Sequence, residues 1–537
     1  MEQLSQQPSA LVRLGLLSPE YAASLTPAML TTLASLPVAL YVFKRVLYPT
    51  VDSREPPVVR PTIPFVGHVI SLIREKTRVF ERLYKESPLP ICSLPMLNGW
   101  LYVINSPSLI SVAMRHRDLS FDPFVIEFSS AALGMTKQQI KAYSDPANLE
   151  AMTAAIHKSL AGDNLHRLNV SALTDVAKTL NAIHPGAGLN VPDVFSWLQT
   201  VLAMATTNAL FGKNNPFGPE DARDFGEYEQ GIGLLALGVA PSLLAPEAIA
   251  ARNRMQDKLR PYYVDHLDEA DDVSALIKNR VAIHRRLGIP DDQLSIMESS
   301  LTFAATANTI PALSWLFVNV FASASFVSRI RDEVAPLTFV STDDSGRRTA
   351  TVDVSRLEKE APMLFACYRE SLRVYSDAVG NRRVMRDTTL TDPDTGREYL
   401  LRKGITVQWA TRLPHALETV WGQDVAEFRP ERWIDSGSSE EKKRRGAMIP
   451  FGGGKTLCPG RYFAQAETLG LVAALALGFE VEGVRVPDAT VAYMGTAIKR
   501  PAAGKSEAIR IVRRAGWEDV EWSFKFESRA KSFSSFG

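Results

Sequence analysis

The stretch from Pro450 to Ala464, PFGGGKTLCPGRYFA, constrains this chain more than any other. A phenylalanine and three consecutive glycines lead to Cys458, and Pro459 and Gly460 separate it from a helix-forming run, RYFAQAETLGLVAALAL. A thiolate there accepts backbone N–H groups from the turn and stands at the positive end of the following helix. Both effects favour the ionised sulfur, the form that binds metal. The glycines let the main chain pass close to a large flat ligand. A single thiolate does not build a zinc or iron–sulfur site, which takes two to four protein ligands. A planar tetrapyrrole supplying four further ligands completes the site and makes this a proximal haem-thiolate loop. The plainer reading of the same residues is a glycine-rich hairpin around a buried core cysteine.

Two further motifs precede the loop. Glu370-Ser371-Leu372-Arg373 lies in LEKEAPMLFACYRESLRVY, where Glu370 and Arg373 share a helix face one turn apart. Such pairs are often surface salt bridges. Arg432 follows in FRPERW.

With these motifs in this order, the chain resembles the cytochrome P450 family from the proline-rich segment after residue 50 to the C-terminus. Phe451, Gly454, Cys458 and Gly460 match its FxxGxxxCxG pattern, Glu370 and Arg373 its ExxR motif, and Arg432 the arginine of its PER-like segment. The resemblance implies a mainly α fold with a smaller β-rich lobe, and haem b held by the Cys458 thiolate. It implies a buried Glu370–Arg373–Arg432 scaffold. The implied partners are NADPH-cytochrome P450 reductase, cytochrome b5, dioxygen and a hydrophobic small molecule.

The run LTFAATANTIPALSWLF belongs to a long helix expected from near Asp291 to beyond Phe326. Ala304, Ala305 and Ala307 allow that helix to pass close over a flat cofactor. Thr309 is polar in an apolar run, and Pro311 removes an i→i−4 bond and frees a carbonyl. The irregularity there can hold water for proton delivery, or Thr309 can satisfy its hydroxyl on the preceding turn. Where the family places an acid–threonine pair, this chain has Asn308-Thr309, and Asn308 can orient water but not titrate. The ANTIP pattern and FGGGKTLCPGR resemble the branch of sterol 7α- and 12α-hydroxylases and prostacyclin synthase. Thr456 stands where many relatives place an arginine for a haem propionate.

The 537 residues are 46% hydrophobic and carry a formal net charge of +1 with no long basic tract, so nucleic acid is not an expected partner. Cys92, Cys367 and Cys458 lie too far apart in sequence to suggest a disulfide framework. Ala22–Phe43 has no charged residue and precedes Lys44 and Arg45. It reads as one membrane span with the following chain on the cytoplasmic side, and an amphipathic or core helix is the alternative. Residues 1–50 are therefore expected to be an anchor, and the resemblance implies that 51–537 form a catalytic domain on the endoplasmic reticulum membrane.

Between these landmarks, Val79–Lys85 reads as a charged amphipathic helix, GWLYVIN as a strand and PSLISVAMRHR as a helix begun by Ser and Pro. Residues 121–140 read as an apolar loop-rich segment. LEAMTAAIHKSLAGDNLHRL has helical spacing, with His157 and Lys158 as surface residues in place of the propionate-binding tryptophan–arginine pair of many relatives. Ile232–Val239 is core or a lid whose tip meets lipid. AVGNRRVMRDTTLTDPDTGREYLLRKGITVQWA alternates and turns as hairpins, with Ser376–Gly380 expected along a substrate cavity. VAYMGTAIKR is a second cavity hairpin, and a basic tail ends the chain.

Three functional readings follow. One is a membrane-bound monooxygenase of a polycyclic, terpenoid or steroid-like substrate, fed by the reductase. The others are a reductase-independent haem-thiolate isomerase or dehydratase acting on a peroxide, and a haem-binding protein without turnover.

Overall fold

The computed structural model describes Ser35 and residues 52–61, 67–97, 99–238, 240–434, 437–493, 495–502 and 508–526. The expected span Ala22–Phe43, apart from Ser35, lies outside them, as do Val239 and the tail beyond Phe526.

Helix ends fall where the sequence supplies caps. Helix α1 (Pro107–Arg115) starts at Ser106, whose hydroxyl accepts the Leu109 N–H, with Pro107 in the first position. Residues 121–140 form helices rather than loop. α2 (Asp122–Leu133) closes at Gly134 in the left-handed region, and a Thr136–Gln139 capping box opens α3 (Lys137–Tyr143). α2 buries only Ala132 and Leu133, so it lacks the periodic apolar stripe by which a helix is read from sequence. The next helical run divides at Leu160–Ala161 into α4 (Pro146–Ser159) and α5 (Gly162–Asn181), and His157 and Lys158 are exposed as expected.

α6 (Val194–Phe211), α7 (Ala222–Ala236) and α8 (Pro246–Val264) follow. The turn between α7 and α8 exposes Leu237, Leu243 and Leu244. The long helix begins at Asp291 as expected but is interrupted, giving α9 (Asp291–Thr306) and α10 (Thr309–Phe321). It does not pass Phe326, because Ser323 caps a new helix, α11 (Ala324–Val334), by accepting the Phe326 N–H. LEKEAPMLFACYRESLRVY also divides, at Ala361. Pro362, which has no N–H to give a continuing helix, opens α12 (Pro362–Tyr375). α13 (Arg461–Gly478) completes the core.

α5, α6, α10 and α13 pack together at the centre. Every residue of α10 is buried, the condition of a helix that is apolar all round. Gly470 lets α13 approach α5, where an added Cβ would stand 2.6 Å from Leu173 Cδ2. Val194–Asn214 and Asp291–Phe321 are long and apolar enough to cross a membrane, but 61% and 78% of their apolar windows are buried within the fold.

The β-rich lobe holds a five-stranded sheet of β1 (Ile91–Met96), β2 (Gly99–Ile104), β3 (Leu119–Ser120), β4 (Val379–Val384) and β5 (Thr406–Ala410), in the order β1-β2-β5-β4-β3. β2 and β5 run parallel, and the other pairs are antiparallel. Thr388–Thr391 and Glu398–Leu401 form the expected hairpin across DPDTG. The architecture is mainly α with a smaller sheet-rich lobe.

Candidate active site

The Glu370 carboxylate lies at the C-terminal half of α12 and is fully buried. Arg373 approaches it in a fork, Nε to Oε2 at 2.9 Å and Nη2 to Oε1 at 2.8 Å. Arg432 Nε and the Arg429 backbone N–H donate to Oε1 at 2.9 and 3.0 Å, and Trp433 Nε1 to Oε2 at 2.9 Å. Both arginines spend their remaining donors on carbonyls: Arg373 on His415, Val425 and Glu427, Arg432 on Trp421 and Asp424. The three motif residues are therefore one buried, hydrogen-bonded unit, and the surface salt-bridge reading falls away. A buried charge survives only in such company.

A chain of bonds runs from this unit to the cysteine loop. The His415 carbonyl takes Arg373 Nη1, and its ring Nε2 accepts the Ile449 N–H at 3.0 Å. Ile449 O accepts the Gly452 N–H, and Phe451 O accepts the Cys458 N–H at 3.0 Å, which closes the loop. Burial, then the Arg373 charge, pushes the His415 imidazole down to about 3, so the ring is neutral and can accept.

The loop glycines serve a neighbour that sequence reading missed. Gly454 has φ +62°, and an added Cβ would stand 2.2 Å from the Met114 carbonyl oxygen; at Gly453 it would meet Met114 Sδ at 2.5 Å. Here the close approach is to the end of α1. Cys458 keeps part of its surface open at the start of α13. Burial still raises its thiol above the ordinary range, outweighing the Gly460 N–H, the Arg461 guanidinium and the Arg461 N–H. Desolvation thus opposes the turn and helix effects that favour the ionised sulfur.

The interruption between α9 and α10 falls at Ala307-Asn308, one turn before Pro311, which has no N–H for the Ala307 carbonyl. Within this buried helix pair Ala304 is exposed, and Ala305 and Asn308 are partly so, a single face open to space. Thr309 is buried. Among the described residues its hydroxyl bonds to no protein group, whereas those of Thr306 and Ser314 return to Thr302 O at 2.8 Å and Ile310 O at 2.9 Å. Thr309 thus departs from the back-bonded alternative. The Asn308 carboxamide oxygen accepts the Ala497 N–H at 2.7 Å, which brings the 492–498 hairpin to the same face. Ser376 bridges Ile498 in that hairpin, and Gly380 lies against the Trp409 indole.

A cytochrome P450 family profile matches residues 56–497. The chain belongs to the cytochrome P450 family. A cytochrome P450 monooxygenase of Gibberella zeae is 34% identical over 496 residues, covering 90% of this chain and 94% of the relative. The cytochrome P450 monooxygenase nodJ of Hypoxylon pulicicidum is 26% identical over 88% and 93%. Cholesterol 7-alpha-monooxygenase of Cricetulus griseus is 23% identical over 80% and 87%. The protein is an oxidoreductase of a family that binds haem b through a cysteine thiolate.

The residues present fit that group. Among the described residues there is no cluster of three or more His, Cys, Asp or Glu side chains able to hold a metal ion, as expected when a porphyrin supplies the other ligands. Arg382 on β4 is buried with no ion-paired carboxylate among the described residues, and burial pushes its guanidinium down to about 10. It donates to Thr456 Oγ1 at 2.5 Å on the cysteine loop and stands over the Phe121 and Trp409 rings. An anionic ligand edge beside that loop would complete it. Its signal in the sequence is the adjacent Arg382-Arg383 on a strand, where alternation turns one of the two inward.

Arg373→Ala leaves Glu370 a buried carboxylate short of its main partner, at a cost of about 3–5 kcal/mol. We expect haem-poor or aggregated protein, measured as haem per polypeptide, and a normal haem content refutes the scaffold. His415 generates a pH dependence. Its folded value near 3 lies below the ordinary 6.5, so the unfolded chain takes up a proton that the fold excludes. The contribution is complete above pH 6.5 and is lost as pH falls toward 3, at up to about 1.4 kcal/mol per pH unit. Denaturant midpoints between pH 7 and 5 should fall less steeply in His415→Gln than in the wild type.

Proposed function

We propose that the protein is a membrane-bound monooxygenase that inserts one oxygen of dioxygen into a hydrophobic polycyclic substrate of terpenoid or steroid-like scaffold. Cys458 is the thiolate for haem b. Cys92 and Cys367 are fully buried in β1 and α12, and burial raises both thiols, so Cys458 is the cysteine with open surface. Haem b, when bound, activates dioxygen with electrons from NADPH-cytochrome P450 reductase, with cytochrome b5 as an accessory donor.

Each remaining task falls to residues of this chain. Phe451, Gly454 and Gly460 shape the proximal loop, and Arg382 pairs with a haem carboxylate. Ala304 and Ala305 keep the opposite face clear. Thr309 holds a proton at Oγ1 and passes it toward the oxygen site, with water held beside the Ala307 carbonyl that Pro311 leaves free. The exposed Leu237, Leu243 and Leu244 support a lid that meets lipid and admits an apolar substrate. Residues 1–50 anchor the catalytic domain 51–537 to the endoplasmic reticulum membrane by a single span, with the domain facing the cytoplasm. The similarity to cholesterol 7-alpha-monooxygenase supports the substrate class.

The observation that carries the monooxygenase reading is the Thr309 hydroxyl, left without a protein partner among the described residues where those of Thr306 and Ser314 return to backbone carbonyls. Thr309→Ala should retain haem and fold. With reconstituted reductase and a substrate found by spin-state titration, product per NADPH should fall about tenfold or more while hydrogen peroxide rises. Unchanged coupling removes Thr309 from the reaction. Turnover of a peroxide substrate with neither reductase nor NADPH replaces this reading by the isomerase.

A further inference from the structure

The hairpin at 488–502 carries little regular strand structure of its own. Its legs meet through Thr490 N–H to Arg500 O and Ala502 N–H to Asp488 O, both at 2.8 Å. Its position is set by other elements. Lys499 N–H donates to Tyr375 O at 2.9 Å, and Trp315 Nε1 donates to Lys499 O at 2.7 Å. Arg500 forms a buried ion pair with Glu229 of α7. Ala497 is stapled from both sides: its carbonyl accepts the Asp377 N–H at 2.8 Å, and its N–H donates to Asn308 Oδ1 at 2.7 Å.

Of these bonds, the one from Asn308 originates on the open face of α9 and α10. It spans 189 residues of sequence and ends two residues from Gly495, at the tip of the turn. Gly495 has φ +92°, and an added Cβ would stand 3.2 Å from Phe128 Cε2 on α2 and 3.4 Å from Ile232 Cγ2 on α7. The tip therefore lies against α2 and α7, while Ala497 is bonded to the break between α9 and α10. The Asn308 carboxamide is the anchor among these that reaches the hairpin from their open face.

We propose that Asn308 is a specificity-determining positioning residue: its carboxamide oxygen pins the Gly495–Ala497 segment over the Ala304–Ala305 face and so limits the bulk of ligand admitted there. This rests on the reading that haem lies between Cys458 and that face, and it assigns Asn308 a task separate from proton delivery by Thr309. The bond needs an acceptor and no donor, so aspartate satisfies it and alanine does not.

The test uses holoenzyme and needs neither substrate nor reductase. Hydrogen exchange in the peptide 492–498 and spectral titrations with imidazole and the bulky azole clotrimazole are measured for wild type, Asn308→Ala and Asn308→Asp. In Asn308→Ala, exchange should rise about tenfold, the size of one net hydrogen bond. Imidazole affinity should stay within about twofold, while clotrimazole binds about tenfold tighter relative to imidazole as the turn yields. Asn308→Asp should match the wild type within about threefold in each readout. An unchanged clotrimazole-to-imidazole ratio in Asn308→Ala, unchanged exchange, or an Asp variant that behaves like the Ala variant overturns the proposal. If Asn308→Ala yields no haem protein, Asn308→Ser carries the comparison, and loss of haem there too overturns the proposal in favour of a purely structural role. No readout uses NADPH or product, so a peroxide-isomerase outcome for Thr309→Ala leaves this proposal to its own result. A wild type with no azole difference spectrum counts against the haem-site reading itself.

Discussion

One buried carboxylate organises the proximal half of this protein. Glu370 accepts from two guanidinium groups, a backbone N–H and an indole N–H, in a region where an uncompensated charge costs several kcal/mol. Its partners come from α12 and from the segment 429–433, so satisfying the charge fixes where that segment lies. The segment leads to the cysteine loop, and the Arg373–His415–Ile449 bonds reach the loop by a second route. Two connections from this unit hold the cysteine loop in place. A ligand pocket that must bind a large rigid group benefits from such a scaffold, because a small displacement of the supporting shell is felt at the metal.

The opposite side is built on a different principle. Rigidity there comes from α10, buried on every side, with Trp315 stacked on Tyr375 at 3.7 Å. The interruption at Ala307-Asn308 then gives up helix hydrogen bonds at one place only, where a carbonyl, a free hydroxyl and a carboxamide come together. The turn between α7 and α8 differs: it is short, proline-broken, and apolar where it meets solvent.

Much of this was legible in sequence wherever the signal is local. The glycine-rich loop before a helix, the i and i+3 carboxylate–guanidinium pair, the Ser-Pro helix start and the DPDTG turn each express their geometry within a few residues. Helices α2 and α3 were not legible, because their apolar residues lack a clean period and their caps lie inside an aromatic run. The breaks at Ser323 and Pro362 lay in the sequence as a cap and a proline, but continuous apolar spacing across them favours one long helix. Arg382 and the Asn308–Ala497 bond depend on which face a strand turns inward and on contacts across the whole chain. The burial that acts on Cys458 is another non-local term. Turn and helix dipole can be read locally, while the desolvation that outweighs them comes from the packed surroundings.

The central claim is that this scaffold presents Cys458 as the axial thiolate of a single haem iron. Iron K-edge absorption of purified holoprotein tests it most directly. The account predicts one sulfur scatterer in the first coordination shell, retained in Cys92→Ser and Cys367→Ala and replaced by nitrogen in Cys458→His. A wild-type shell without sulfur, or a sulfur that persists in Cys458→His, contradicts it.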